Sequence, residues 1–297
     1  MGHAVRVIAR LDIKGPNLIK GVQFDGHRVL GTAEQFGELY YREGIDELIY
    51  QDAVASLYRR NSLLEIIKKT AMKVFVPLTV AGGIRTIEDI RQILRAGADK
   101  VAINTGAVEN PALLSEAVKV FGSQCIVSSI EAFRISDGKY QVWVDYGREV
   151  TGLDAIEWAK QVEGLGVGEI LLTSINSEGM GEGYDIELTN RISSIVSIPV
   201  IASGGAGTKS DLSKVIRNGG AQAAAAASIF HYNYATPVNK PFMSFSEARL
   251  RMGEHIDSGN VDFLNHGYGG ERACTVKPAS IREVKEDMVK NGIEVRI

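Results

Sequence analysis

The feature that most constrains the fold is an internal repeat. The stretch VPLTVAGGIRTIEDIRQILRAGADKVAINTG, beginning at Val76, lies without gaps over IPVIASGGAGTKSDLSKVIRNGGAQAAAAAS, beginning at Ile198. Pro77 falls on Pro199, the pair Gly82-Gly83 on Gly204-Gly205, Asp89 on Asp211, Arg95 on Arg217 and Gly97 on Gly219. The same spacing carries IDELIYQD, from Ile45, onto VGEILLTS, from Val167, so that Glu47 meets Glu169. Self-similarity at a fixed period marks a supersecondary unit whose copies bury one another's apolar faces.

Short apolar runs alternate with longer amphipathic stretches along the chain. Strands are expected at residues 5–12, 47–52, 76–81, 100–103, 125–130, 169–173, 198–203 and 223–227. Helices are expected at 86–96, 111–120, 211–218 and, closing the chain, 281–291. Nearly continuous apolar strands between helices imply a parallel sheet covered by helices. Two similar halves of four βα units each make one α/β fold, a (β/α)8 TIM barrel with approximate twofold symmetry. A doubly wound open sheet is the alternative. The chain has 297 residues, 45% of them hydrophobic. That suits one such barrel of about 250 residues with insertions, so residues 1–297 read as a single domain. Residues 232–279 read as an insertion after the eighth strand, at the C-terminal face, with a helix expected at 244–256.

A net charge of −3 gives no electrostatic reason to expect nucleic acid or an anionic membrane as partner. The two cysteines, Cys125 and Cys274, lack a paired metal spacing, so neither a metal nor another cofactor is expected. The opening MGHAVRVIARLD is too short and too charged for a signal peptide, and the apolar run 221–230 is far short of a membrane span. The expectation is a soluble cytoplasmic protein.

In a barrel, loops after strands can hold phosphates through backbone N–H groups, and glycine permits the close approach. The loops AGGI (81–84) and SGGAG (203–207) fit this role at equivalent points of the two halves. Their neighbours INTG (103–106) and AAAS (225–228) add Asn104, Thr105 and Ser228 as side-chain donors. Two facing cradles, with Gly83 in one and Gly204 and Gly205 in the other, predict a small substrate phosphorylated at both ends. The competing explanation is that the glycines only make tight βα turns. Asp12 ends the first strand and Glu131 the fifth, so the symmetry aims them into the mouth from opposite sides. Such a pair can act as general acid and general base. Alternatively each is an N-cap or an ion-pair partner of Lys14 or Arg134. Lys20, in the first loop, could neutralise a substrate phosphate.

The stretches LDIKG, GIDELIYQD, GGIRT, RAGADKVAINTGAVENP, FGSQ, GEILLTSI, GYD, PVIASGGAG, ASIFH and NGIEVRI resemble the HisF family, the cyclase subunit of imidazole glycerol phosphate synthase. They cover nearly the whole chain up to His231, and the last helix. The resemblance implies a heterodimer with a HisH-like glutaminase subunit. Ammonia released there would pass through the barrel to a bis-phosphorylated ribonucleotide intermediate, in a step of histidine biosynthesis. It implies an ammonia entrance on Arg6, Glu47, Lys100 and Glu169, with Asp99 beside it as an interface residue. The competing reading is a stabilising network on the bottom face. It also implies Asp12 and Glu131 as the catalytic pair, and Gly179 as a further phosphate contact.

The chain departs from the family in several places. Glu131 stands where the family has a second aspartate, and Arg10 where it has a small neutral residue. Asn176, Glu178 and Met180 replace aspartates and threonine, and ordinary members lack the long segment after His231. These changes gather at the catalytic face. They raise the alternative of a paralogue that passes ammonia to a third protein, an acceptor enzyme such as one that amidates sugars for surface polysaccharides.

Overall fold

A computed structural model describes residues 4–55, 63–235 and 275–297. The first half runs β1 (Arg6–Lys14), β2 (Asn17–Val22), β3 (Asp25–Thr32), α1 (Ala33–Arg42), β4 (Glu47–Asp52), α2 (Leu64–Ala71), β5 (Leu78–Ala81), α3 (Ile87–Arg95), β6 (Lys100–Ile103), α4 (Thr105–Glu109) and α5 (Ala112–Phe121). The second half runs β7 (Ile126–Ser136), β8 (Lys139–Val144), β9 (Glu149–Asp154), α6 (Ala155–Gly164), β10 (Glu169–Ser174), α7 (Ile186–Ser193), β11 (Val200–Ser203), α8 (Lys209–Gly219), β12 (Ala223–Ala226), α9 (Ser228–Ala235) and the closing α10 (Ile281–Lys290).

Eight strands pair in parallel in the order β1, β4, β5, β6, β7, β10, β11, β12, and β12 pairs back onto β1 through Arg6↔Ala223 to Ala9↔Ala226. That last pairing closes the barrel and excludes the open sheet. All eight expected strands are present. Residues 236–274, which hold most of the expected insertion and its helix, lie outside the described residues, while residues 232–235 complete α9.

The repeat extends to helix starts. Thr86 Oγ1 accepts from the Asp89 N–H (3.1 Å) and Asp89 Oδ2 from the Thr86 N–H (2.9 Å), a reciprocal cap that opens α3. At the equivalent start of α8, Asp211 accepts from the Thr208 N–H (2.8 Å). Glycine is required at matching turns: a Cβ on Gly82 would lie 2.6 Å from the Asp52 carbonyl oxygen, and one on Gly204 2.8 Å from that of Ser174. Both residues have positive φ.

Two antiparallel hairpins, β2–β3 and β8–β9, extend the first and fifth barrel strands and were not anticipated from sequence. Lys14 and Lys20 therefore belong to strands, not to a loop. Gln23-Phe24 and Asp145-Tyr146, at the hairpin tips, both take left-handed φ (48° and 63°, 51° and 59°). They are related by the same spacing that carries Gly82 onto Gly204. The Phe24 and Tyr146 rings pack on each other with centroids 4.3 Å apart, joining the two hairpins.

Alternation along the strands sorts side chains into two cores. Outward residues such as Leu11, Tyr50, Val101 and Leu172 pack beneath the helices. Inward residues Ile8, Ile49, Ala81, Ala102, Val127, Leu171, Ile201, Ala223 and Ala225 fill the lumen. Each fully buried Ile, Leu or Val among them contributes about 1.5–3 kcal/mol. The last helix is held to the barrel by a buried ion pair. Lys285 Nζ donates to Asp46 Oδ1 (2.7 Å) and the Gly44 carbonyl (2.6 Å), and Asp46 Oδ2 accepts from the Val7 N–H (2.7 Å). Removing one member of a buried pair strands the other charge, at a cost of roughly 3–5 kcal/mol. Lys285→Met is expected to lower the unfolding free energy by about that much in urea titrations. A change below about 1 kcal/mol would contradict the assignment of Lys285 as the clamp.

Candidate active site

At the foot of the barrel four inward charges form a closed ring. Arg6 Nη1 donates to Glu47 (2.9 Å) and Nη2 to Glu169, while Lys100 Nζ contacts Glu169 at 3.1 Å and Glu47 at 3.4 Å. Glu47, Lys100 and Glu169 come from alternate strands, but Arg6 comes from β1, next to the strand of Glu47. The charges sum to zero, as mutual desolvation requires. Burial opposes the Arg6 charge, but hydrogen bonding and attraction to Glu169, then to Glu47, outweigh it and hold the guanidinium above its ordinary value. Asp99 is exposed beside Lys100, and one of its oxygens accepts from the Leu78 N–H (2.8 Å).

Above the ring lies the apolar lumen layer, and above that the mouth. Asp12 and Glu131 are both buried there. Asp12 pairs with neither Lys14 nor any helix end. Its Oδ1 accepts from Arg10 Nε (3.1 Å). Arg134, the alternative partner of Glu131, pairs with Glu187 instead. Alternation sets Arg10 above Ile8, and its Nη1 crosses the lumen to Thr173 Oγ1 (3.0 Å) and Ser203 Oγ (3.4 Å). Burial raises the cost of ionising Asp12, yet Arg10 and then Lys20 overcome it and hold the carboxyl below its usual range. Burial dominates at Glu131 and pushes it up to about 7, against the pull of Arg10 and of the Gly147 N–H. The two carboxyls are thus driven apart, Asp12 ionised and Glu131 about half protonated near neutrality.

Two cavities flank this pair. The first is bordered by Gly82, Gly83, Asn104, Thr105, Glu131 and Tyr146, among others. The second is bordered by Arg10, Lys20, Glu178, Gly179, Gly204, Gly205 and Ser228, among others. Every phosphate contact expected from sequence therefore borders one cavity or the other, with Gly82-Gly83 and Gly204-Gly205 at equivalent points of the repeat.

The hairpins engage several of these residues. Asn104 Nδ2 donates to the Trp143 carbonyl (3.0 Å), and Thr105 Oγ1 accepts from the Asp145 N–H (3.1 Å). Lys20, far from being a free loop cation, is buried against Glu178, whose Oε2 accepts from the Phe24 N–H (3.3 Å). His231 is buried with its Nδ1 2.5 Å from the Tyr40 hydroxyl, and burial, then Lys20, lower it to about 3, so it is neutral. Phe24, Tyr146 and the Lys20–Glu178 pair were missed from sequence. The repeated spacing of the hairpin tips is the signal that relates the first two.

A closed (β/α)8 barrel with charges paired at its foot and two glycine-lined cavities beside a pair of buried carboxyls defines a barrel of twofold-repeated design, with its candidate site at the C-terminal mouth. A family model described as "Histidine biosynthesis protein" matches residues 6–236. A protein of Legionella pneumophila named "Imidazole glycerol phosphate synthase subunit HisF" is 60% identical over 203 residues, which span 68% of this chain and 96% of that protein. Proteins of the same name from Methanopyrus kandleri (49% over 254 residues, 80% and 93%) and Alkaliphilus metalliredigens (48% over 228 residues, 77% and 90%) match too. The chain belongs to the HisF family of histidine-biosynthesis proteins. Among the described residues no helix is long and apolar enough to cross a membrane.

The raised Glu131 carboxyl has a sign that can be checked. Its folded value, about 7, lies above the unfolded value of about 4.3. Its contribution to stability is complete below about pH 4 and is lost as pH rises through about 7. Glu131→Gln removes that loss. The variant is expected to be more stable than the parent by on the order of 3 kcal/mol at pH 8, with the gap closing toward pH 4. Urea unfolding at the two pH values reads the difference, and a gap independent of pH would contradict it.

Proposed function

We propose that the protein is the synthase (cyclase) subunit of an imidazole glycerol phosphate synthase. In this reading it receives ammonia from a glutaminase subunit docked at the N-terminal face, near Asp99. The ammonia passes the ring of Arg6, Glu47, Lys100 and Glu169, crosses the apolar lumen and reaches the mouth. There it meets a bis-phosphorylated ribonucleotide intermediate. One phosphate rests on Gly83, Asn104 and Thr105, and the other on Lys20, Gly179, Gly204, Gly205 and Ser228. The products are imidazole glycerol phosphate and an aminoimidazole carboxamide ribotide. Asp12, held ionised by Arg10, serves as general base. Glu131, protonated below about pH 7, serves as general acid.

The observation that carries this reading is the self-neutralising ring beneath an apolar lumen. A barrel enzyme supplied only from its mouth has no use for charges at its foot beyond stability. The names of the relatives support the same activity. Purified protein, given ammonium salt and the ribonucleotide intermediate, is expected to form imidazole glycerol phosphate. With the glutaminase subunit present, glutamine should replace ammonium. No turnover with either nitrogen source would sink the cyclase reading.

A second reading is favoured by Arg10 and Glu131 at the mouth: the chain hands ammonia to a different acceptor enzyme. Glutaminase binding without cyclase turnover would select it. Two variants sharpen the choice. Lys100→Met leaves Glu47 and Glu169 sharing Arg6 alone, and is expected to lower the ratio of glutamine-dependent to ammonium-dependent synthesis several-fold. An unchanged ratio would return the ring to a purely stabilising role. Glu131→Asp shortens the acid by one methylene, and misplacement by about 1 Å can cost on the order of a hundredfold in rate. If the shorter acid suits the chemistry, ammonium-dependent turnover rises tenfold or more. A rate equal to the parent's would show that the glutamate is not misplaced.

A further inference from the structure

A guanidinium this deep in a barrel must have its donors met, because an unsatisfied N–H on a buried charged group is costly. Arg10 is only 4% exposed. Its Nε is taken by Asp12 and its Nη1 by Thr173 and Ser203. Its Nη2, among the described residues, has no hydrogen-bond partner. Arg10 also borders the second cavity, with Lys20, Gly204, Gly205 and Ser228. On that wall the Lys20 ammonium is paired with Glu178 and the Gly21 carbonyl. Arg10 Nη2 is a buried guanidinium nitrogen on that wall left without a partner among the described residues.

We propose that Arg10 is an anion-binding residue of the second cradle, its Nη2 reserved for an oxygen of a phosphate ester seated against the Gly204-Gly205 backbone and Ser228. The proposal rests on reading the two cradles as phosphate sites and adds to them a charged contact. The guanidinium is fixed on one side by its own strand through Asp12 and across the lumen by β10 and β11. The Phe24 ring lies beside it, 5.4 Å from Cζ to the centroid. A fork held in this way loses little freedom when a ligand arrives. Its charge makes the cradle select a dianionic phosphate over a neutral hydroxyl group of the same size.

The test is binding, and needs neither ammonia nor a glutaminase. The full chain is titrated with glycerol 3-phosphate while the backbone amide resonances of Gly82, Gly83, Gly204 and Gly205 are followed by NMR, with glycerol as the uncharged control. The parent is expected to show saturable shifts at both glycine pairs with the phosphate ester and none with glycerol. R10M is expected to weaken binding at Gly204-Gly205 about tenfold or more while leaving Gly82-Gly83 within about twofold. R10K should recover part of the loss. R10Q can keep a hydrogen bond toward Asp12 but lacks the charge, and should weaken the second site as R10M does even where R10M folds poorly. Unaltered affinity at Gly204-Gly205 in R10Q or R10M, with lowered thermal stability, would make Arg10 a strut between strands and overturn the proposal. The absence of shifts at all four glycines in the parent would instead remove the cradle reading itself, and the proposal with it.

Discussion

Bringing four charged side chains into the foot of a barrel costs several kcal/mol per ion, and only their contact with one another makes that tolerable. Arg6, Glu47, Lys100 and Glu169 meet this condition as a closed cycle in which each cation touches both carboxylates. No pair of them would do so alone. The pairing of β1 with both β4 and β12 sets Arg6 inside the closed barrel, in the same interior as β4, β6 and β10. The closure that creates an interior thus also creates the geometry in which these charges neutralise one another. Above them the lumen returns at once to aliphatic and alanine side chains.

The eight barrel strands were legible because each is a short apolar run at a repeated spacing, and the glycine pairs because matching turns need matching backbone approach. The hairpins were not legible. A tight turn normally announces itself with Asn-Gly or Asp-Gly, whose φ values come at low cost. Here non-glycine residues, Gln23-Phe24 and Asp145-Tyr146, open the turns in left-handed conformations. What holds them is tertiary: one ring packs on the other, and Glu178 and Thr105 accept from the tip amides. The Asp137-Gly138 pair between β7 and β8 was a usable signal for one hairpin.

Within the candidate site, sequence gave residue types at the right ends of strands but not their partners. The competing partners weighed for Asp12 and Glu131 were sequence neighbours, Lys14 and Arg134. Lys14 is exposed, and Arg134 is drawn to Glu187. The actual partner of Asp12 is Arg10, two residues away and therefore on the same face of the strand. Lys20 illustrates the same limit. Its charge is legible in the sequence, whereas its contact with Glu178, 158 positions along the chain, depends on how a hairpin folds over the mouth.

Two nearly equivalent half-barrels would place two equivalent carboxyls in one mouth, and equivalent carboxyls have no reason to divide acid from base work. The division here comes chiefly from one strand position, with Lys20 adding to it. Two residues before Asp12 stands Arg10; two residues before Glu131 stands Ser129. Both carboxyls are buried, so desolvation acts on both alike. The cation in direct contact lies on one side only, and it holds Asp12 ionised while Glu131 keeps its proton up to about pH 7. A residue that breaks the symmetry of the repeat at the mouth therefore separates the protonation of two carboxyls in halves of common design.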